Sequence, residues 1–242
     1  MRNRCFLCIL FSALSGCGDS ITSAQLETEQ IYADVDVRAE NSQTRVVVIL
    51  RSGTSLGTPI QLIDGDSLSV SAYSQNKVLS GSSALVDAIY RAEYGQNVGD
   101  EIIRVSLTRE TKSSAPDSWG RLPQVVNVSA PLANEVIPRG DGILVQWEEG
   151  NGGSMTLDVT SECMTIEGER VTQSISQALD DDGEHRFDTQ ALNLPENLDV
   201  SENCQLAAVL TRTIKGSLDE NYAAGGTFVA RQVKSIPLSL SL

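Results

Sequence analysis

The chain is 242 residues long and acidic, with 32 Asp and Glu against 18 Lys and Arg and a formal net charge of −14. A surface of that sign repels nucleic acid and anionic head groups, so no DNA or RNA partner is expected. Apolar residues make up 40% of the chain, enough to build cores rather than to leave it disordered, and the length allows two domains of about 100 residues each.

The N-terminus opens with Arg2 and Arg4 and continues through an apolar run, Cys5 to Leu14. This is the anatomy of a secretory signal, and it is too short to cross a bilayer, which takes roughly 20 apolar residues. The run ends in Leu14-Ser15-Gly16-Cys17. That segment resembles the lipobox of bacterial lipoproteins, a Leu three residues before a Cys with small residues between. The resemblance implies removal of residues 1–16 as a signal peptide and acylation of Cys17, so that the lipid bilayer itself becomes a partner. Gly18, where an Asp would mark retention at the inner membrane, implies the outer membrane. Residues 17–30 lack periodicity and are read as the lipidated cysteine and a flexible tether.

Cys5 and Cys8 leave with the signal and Cys17 carries lipid, so Cys163 and Cys204 remain as an even pair in an oxidising compartment. They are expected to form one disulfide, closing a loop of about 42 residues worth on the order of 4 kcal/mol. A metal site is the rival, but no CxxC or histidine cluster accompanies the pair, and zinc needs three or four such ligands. No metal or cofactor is expected.

From Ile31 onward short alternating segments dominate, among them the candidate strands Ser67–Ala72, Glu101–Leu107, Ile143–Trp147, Met155–Val159, Thr227–Val233 and Ile236–Leu240, separated by Gly, Asp, Asn and Pro clusters such as Asp64-Gly65-Asp66 and Gly150-Asn151-Gly152-Gly153. That pattern predicts an all-β chain of antiparallel sandwiches. Ser82–Ala92 is the best candidate helix, and it fits a strand and loop equally well. "LTRETKSS" at 107–114 and "LTRTIKGS" at 210–217 suggest an internal repeat. Ile103, Val105 and Leu107 then correspond to Leu206, Ala208 and Leu210. Asp64-Gly65-Asp66 before "SLSVSA" also looks like Arg139-Gly140-Asp141 before "GILVQW", with the second copy longer around its cysteines. The predicted division is a first sandwich at 31–123 and a second, disulfide-bearing one at 124–242.

Residues 129–150, a proline-bearing first strand, a turn and an alternating strand ending in Trp147, resemble the opening of an immunoglobulin-like or fibronectin type III domain. The resemblance implies two tandem Ig-like sandwiches with Trp147 packed between sheets. It stops short of the later strands, where the fibronectin-type Tyr is missing from "CQLAAVLTRTIKG".

Catalytic chemistry finds little to stand on. The single histidine, His185, lies in a predicted strand; there is no GxSxG, P-loop or GxGxxG segment, and no enzyme or catalytic residue is expected. "DDDGEH" (180–185) offers clustered oxygens but lacks the acids that an EF-hand requires at 178 and 189, so it reads as a solvated acidic turn, with an irregular calcium loop as the alternative. Arg109 and Arg212 occupy equivalent places in the repeat. Either they form a ligand-binding fork, or each packs its stem at a strand end with its head on turn carbonyls and an acid such as Asp117 or Asp219. Trp119 and Tyr222 follow in the two loops and are candidate contacts for a sugar or peptide. The function expected is a membrane-anchored, non-catalytic binding module of the cell envelope for a protein or glycan, the alternative being a structural accessory subunit of an envelope complex.

Overall fold

In the computed structural model, residues 21–82 and 88–242 are described; Cys17 and the apolar leader lie outside them. The chain is all-β. Its first half contains β1 (Ile21–Thr22), β2 (Ile31–Glu40), β3 (Gln43–Ser52), β4 (Ile60–Gln61), β5 (Ser67–Ala72), β6 (Gln75–Val78), β7 (Ser80–Ser82), β8 (Ile89–Tyr94), β9 (Ile102–Thr108) and β10 (Ala115–Arg121). The second half contains β11 (Val128–Ala130), β12 (Val136–Pro138), β13 (Gly142–Trp147), β14 (Ser154–Met164), β15 (Arg170–Leu179), β16 (Glu184–Asp188), β17 (Cys204–Lys215) and β18 (Gly226–Ser241). Of the segment read as a candidate helix, residues 83–87 lie outside the described residues and Ile89–Ala92 belong to β8, so the strand alternative holds for that part.

Both halves use one plan. In the first, β2, β3 and β8 lie side by side and face the sheet β6-β5-β9-β10; in the second, β11, β13 and β16 face β15-β14-β17-β18. Taken in chain order, each sandwich has an A-B-E sheet against a C′-C-F-G sheet, the Ig-like arrangement. β9 and β17 are both strand F, so the two "LTR" segments occupy the same place in two sandwiches. Ile103, Val105 and Leu107 are buried in one, and Leu206, Ala208 and Leu210 in the other. The earlier part of the proposed repeat is corrected: Asp64-Gly65-Asp66 precedes strand C (β5), whereas Arg139-Gly140-Asp141 precedes strand B (β13). Their likeness is that of two polar turns before apolar strands. The greater length of the second copy lies in its C–C′ hairpin, where β14 and β15 pair over ten residues and β5 and β6 over four.

Two apolar cores result, and the C-terminal strand serves both. The first gathers residues such as Val35, Val48, Tyr94 and Leu107 and also takes Tyr222, Phe228 and Ala230 from the far end of the chain. The second gathers Trp147, Leu157, Phe187 and Leu210 with Ile236, Leu238 and Leu240. Trp147 is buried between sheets, as its strand suggested. β18 runs parallel to β2 over Gly226–Val233 while pairing antiparallel with β17 along its length. The A-B-E sheet of the first sandwich and the C′-C-F-G sheet of the second are thereby one continuous sheet, β15-β14-β17-β18-β2-β3-β8-β7. A chain division at residue 123 assigns 215–233 to the second sandwich, yet that segment is bonded into the first.

The described part of the expected tether is also folded. Ile21 and Thr22 pair parallel with Ile60 and Gln61, and Ser23 and Thr28 are fully buried. Its lack of periodicity reflects two short 3₁₀ turns, Ser23–Gln25 and Thr28–Gln30, rather than free chain.

Candidate functional site

Arg109 and Arg212 follow the buried Leu of strand F in each sandwich by two positions, so alternation aims both inward, and both are almost wholly enclosed. An enclosed guanidinium must find an acid and fill its five donors. Arg109 Nε donates to Asp66 Oδ2 at 2.9 Å, Nη1 to the Leu26 carbonyl and Thr28 Oγ1 at 3.1 Å each, and Nη2 to the Ser23 carbonyl at 2.5 Å. Arg212 makes a bidentate pair with Asp181, Nε to Oδ2 at 2.7 Å and Nη2 to Oδ1 at 2.8 Å, and donates to the carbonyls of Gln124 and Glu148. Each Arg therefore clamps the chain leading into its own sandwich. Each guanidinium makes four hydrogen bonds inside the fold and is shut off from solvent, the arrangement of the fold-serving alternative. The acids expected beside them are corrected: Asp66 and Asp181 fill that role. Asp117 instead pairs with Arg104, and Asp219 accepts from the Asp117 backbone N–H and donates its own N–H to Ser118 Oγ.

The acidic turn at 180–184 is shaped by the same pair. Burial alone would raise the Asp181 carboxyl, but hydrogen bonds from Arg212 and from Trp147 Nε1, with the Arg212 charge, outweigh it and hold the group below the usual carboxylate range. With both its oxygens engaged, Asp181 is not available to a calcium ion. Among the described residues there is no cluster of three or more potential metal ligands. His185, in β16, bonds Gln177 of β15 through Nε2 at 3.1 Å. Cys163 and Cys204 form the disulfide, with Cα atoms 4.4 Å apart. It bridges neighbouring strands C and F within one sheet, just beyond the last paired residues, Glu162 and Gln205.

The two candidate aromatics separate. Tyr222 is buried in the first core; burial, followed by the Asp219 charge, drives its hydroxyl far above its ordinary range against a smaller opposing effect of Arg109. It is closed to a ligand. Trp119 is 39% exposed on β10. Its backbone is pinned by two hydrogen bonds to Ser217, which leaves the indole on the outer face of the first C′-C-F-G sheet.

On that face the pairing register sets Trp119 beside Arg104, Arg104 beside Ser71, and Ser71 beside Asn76. All four residues are exposed, and they form one row across four strands. Arg104 is steadied by Asp117 at 2.9 Å, and Ser71 Oγ donates to Asn76 Oδ1 at 3.2 Å. Ser69 and Ser106 lie in the next row with Val78 beyond Ser69, and the row on the other side of Trp119 pairs Ile102 with Arg121. The row combines a broad apolar ring, a guanidinium, a hydroxyl and an amide, with donors and acceptors along one exposed strip. Sequence reasoning singled out Trp119 but not its neighbours. The signal lay in "SLSVSA", whose alternation puts three serines on one face where a covered sheet would place apolar groups. A depression of about 130 Å³ lies elsewhere, at the β2–β3 turn among Arg38, Glu40, Thr44, Arg45 and Glu93. Its charges already pair with one another, Arg38 with Glu40 and Arg45 with Glu93.

No family model matches the chain, and no curated protein matches it. Solved structures to which it is similar include the fibronectin(III)-like modules of Clostridium thermocellum CbhA, at 11% identity and TM-score 0.24, covering 87% of this chain and 94% of that one. A three-Ig segment of titin aligns at 8% identity and TM-score 0.25, over 87% of this chain and 63% of its own. The Yersinia pseudotuberculosis adhesin InvE aligns at 10% identity and TM-score 0.23, over 87% and 59% respectively. The sandwich assignment itself rests on the strand order of the two halves.

Proposed function

We propose that this protein is a lipid-anchored, non-catalytic binding module of the cell envelope, and that it holds a protein or glycan on the outer face of its first C′-C-F-G sheet. The observation that carries this reading is the row of Trp119, Arg104, Ser71 and Asn76, which sets an exposed indole beside polar side chains on one sheet face. Trp and Arg are the residue types that dominate binding hot spots, because each offers a large contact area with a polar handle. Of the four side chains singled out, Trp119 is the one left exposed, whereas Arg109, Arg212 and Tyr222 are enclosed in the fold.

The anchor is the lipobox cysteine, Cys17, and the membrane expected is the outer one. Only residues 18–20 separate Cys17 from the packed strand at Ile21, a span of at most about 14 Å. The first sandwich, which bears the row, is then held close to the membrane and the second projects from it.

Two measurements test these statements separately. Metabolic labelling with a fatty-acid analogue should mark the wild type and leave Cys17→Ala unmarked; an unmarked wild type refutes the anchor. Envelope proteins and glycans captured by the wild type should be lost with Trp119→Ala at an unchanged melting temperature. Capture that survives Trp119→Ala and Arg104→Ala together removes this face from consideration.

A further inference from the structure

The continuous sheet ends at β15, which pairs with β14 and, among the described strands, with no other. An open edge presents free N–H and C=O groups that invite another strand, and proteins blunt such edges with brevity, charge, proline or bulges. Other edges here are blunted. β7 has three residues, β6 has four and carries Lys77, and β10 contains Pro116 with a register irregularity between Ala115 and Ser118. β16, at the edge of the small sheet, is five residues long and mostly charged. β15 has none of these features. Its ten residues, RVTQSISQAL, run in unbroken register along β14, and the sole charge is Arg170 at the first position.

The edge is also complementary to itself. Two identical strands related by a two-fold axis pair antiparallel so that residue i meets j and j meets i. With the axis at Ile175, Ser174 faces Ser176 of the partner subunit, Gln173 faces Gln177 of the partner subunit, and Thr172 faces Ala178 of the partner subunit. Val171 then faces Leu179 of the partner subunit, and Arg170 meets Asp180 of the partner subunit. Serine meets serine, glutamine meets glutamine, the apolar residues meet each other, Thr172 meets the small Ala178 of the partner subunit, and the charged ends find opposite charge. Val171, Ile175 and Leu179 share one face of β15 and are half-buried, Ile175 and Leu179 already leaning on the second core. A second strand laid along the edge covers their open side. The opposite face carries Thr172, Ser174, Ser176 and Ala178, exposed and small enough to pair without crowding.

We propose that β15 is a homodimerisation edge: two copies pair antiparallel about Ile175 and extend the eight-strand path into one sheet running through both molecules. The net charge of −14 opposes this at long range, but salt near 0.15 M screens beyond roughly 8 Å and leaves the local pairs in control. The contact lies on the second sandwich, so its failure leaves the binding face on the first untouched.

The test is sedimentation of the full chain in density-matched detergent, with three sequences compared. The wild type should sediment at twice the chain mass. Ser174→Lys with Ser176→Lys sets like charges opposite one another at both symmetry-related positions and should weaken association by at least about tenfold. Ser174→Lys with Ser176→Glu sets opposite charges at those same positions and should restore the dimer, which excludes misfolding as the cause of the first loss. A monomeric wild type overturns the proposal, including the outcome in which the edge takes an extended segment of a different protein. A dimer that persists in the double-lysine variant overturns it as well, because association then uses another surface.

Discussion

Arg212→Ala perturbs the most enclosed charge in the second sandwich. The guanidinium is 1% exposed and makes four hydrogen bonds, two to Asp181 and one each to the carbonyls of Gln124 and Glu148. Truncation leaves Asp181 with its bond from Trp147 Nε1 and a backbone bond from Gly150, and leaves two carbonyls without their donor. Breaking a buried pair from one side costs about 3–5 kcal/mol, because the surviving charge remains desolvated. That exceeds the 1–2 kcal/mol appropriate to a rim arginine. Asp181→Ala should cost a similar amount, and the double variant much less than the sum, with a coupling of about 1–3 kcal/mol. Urea titrations followed by far-UV circular dichroism measure all three. A cost below about 1 kcal/mol for Arg212→Ala, or additivity in the double variant, would refute the enclosed-clamp description.

The other predictions concern pH, the joint and the repeat. Asp181 has a lowered folded-state pKa, so its contribution is fully present above the ordinary carboxylate value and is lost as pH falls through the folded value. The melting temperature of the wild type should therefore fall more steeply than that of Asp181→Asn from about pH 4 downward; parallel curves refute this. At Gly226, φ is +140° and a Cβ would sit 1.9 Å from the Ala33 carbonyl oxygen. Gly226→Ala should cost about 2–4 kcal/mol and raise hydrogen exchange along β2, whereas unchanged exchange there denies the β18–β2 joint. Leu107→Ala and Leu210→Ala each empty a fully buried strand-F position and should each cost about 2–5 kcal/mol in urea. A cost near zero for either breaks the equivalence of the two strands.

What the sequence made legible follows what alternation can encode. Strands with one wet and one dry face, such as β5, β9, β13 and β14, alternate along their length and lie where the pattern put them. The paired "LTR" segments were readable because each sandwich needs the same apolar run followed by an inward arginine. The partner acids were not. Asp66 is 43 residues before Arg109 and Asp181 is 31 before Arg212, and they come from different loops of the two sandwiches, so no shared spacing marks them. Residues 21–30 misled for a related reason: their order comes from carbonyls accepting from Arg109, a donor more than 80 residues away.

The joint between the sandwiches is the instructive failure. Residues 227–233 and 236–240 read as two strands, because Gln232 and Lys234 interrupt the apolar face between them. In the structure they are one strand of sixteen residues. Phe228 and Ala230 face the first core; Ile236, Leu238 and Leu240 face the second; all five occupy alternate positions of a single phase. The polar pair falls where one core ends and the next begins. Gln232 is buried there against Asn97 of the first sandwich at 2.7 Å, while Lys234 is exposed. An interruption of this kind marks a strand break if one core is assumed and a shared strand if two are. Alternation in one segment cannot choose between these, because the choice depends on β2, nearly 200 residues earlier, offering its edge to Gly226–Val233. With that edge occupied, Thr227 bonds Asp34, Arg231 pairs with Asp36, and the two sandwiches share a backbone ladder rather than a linker.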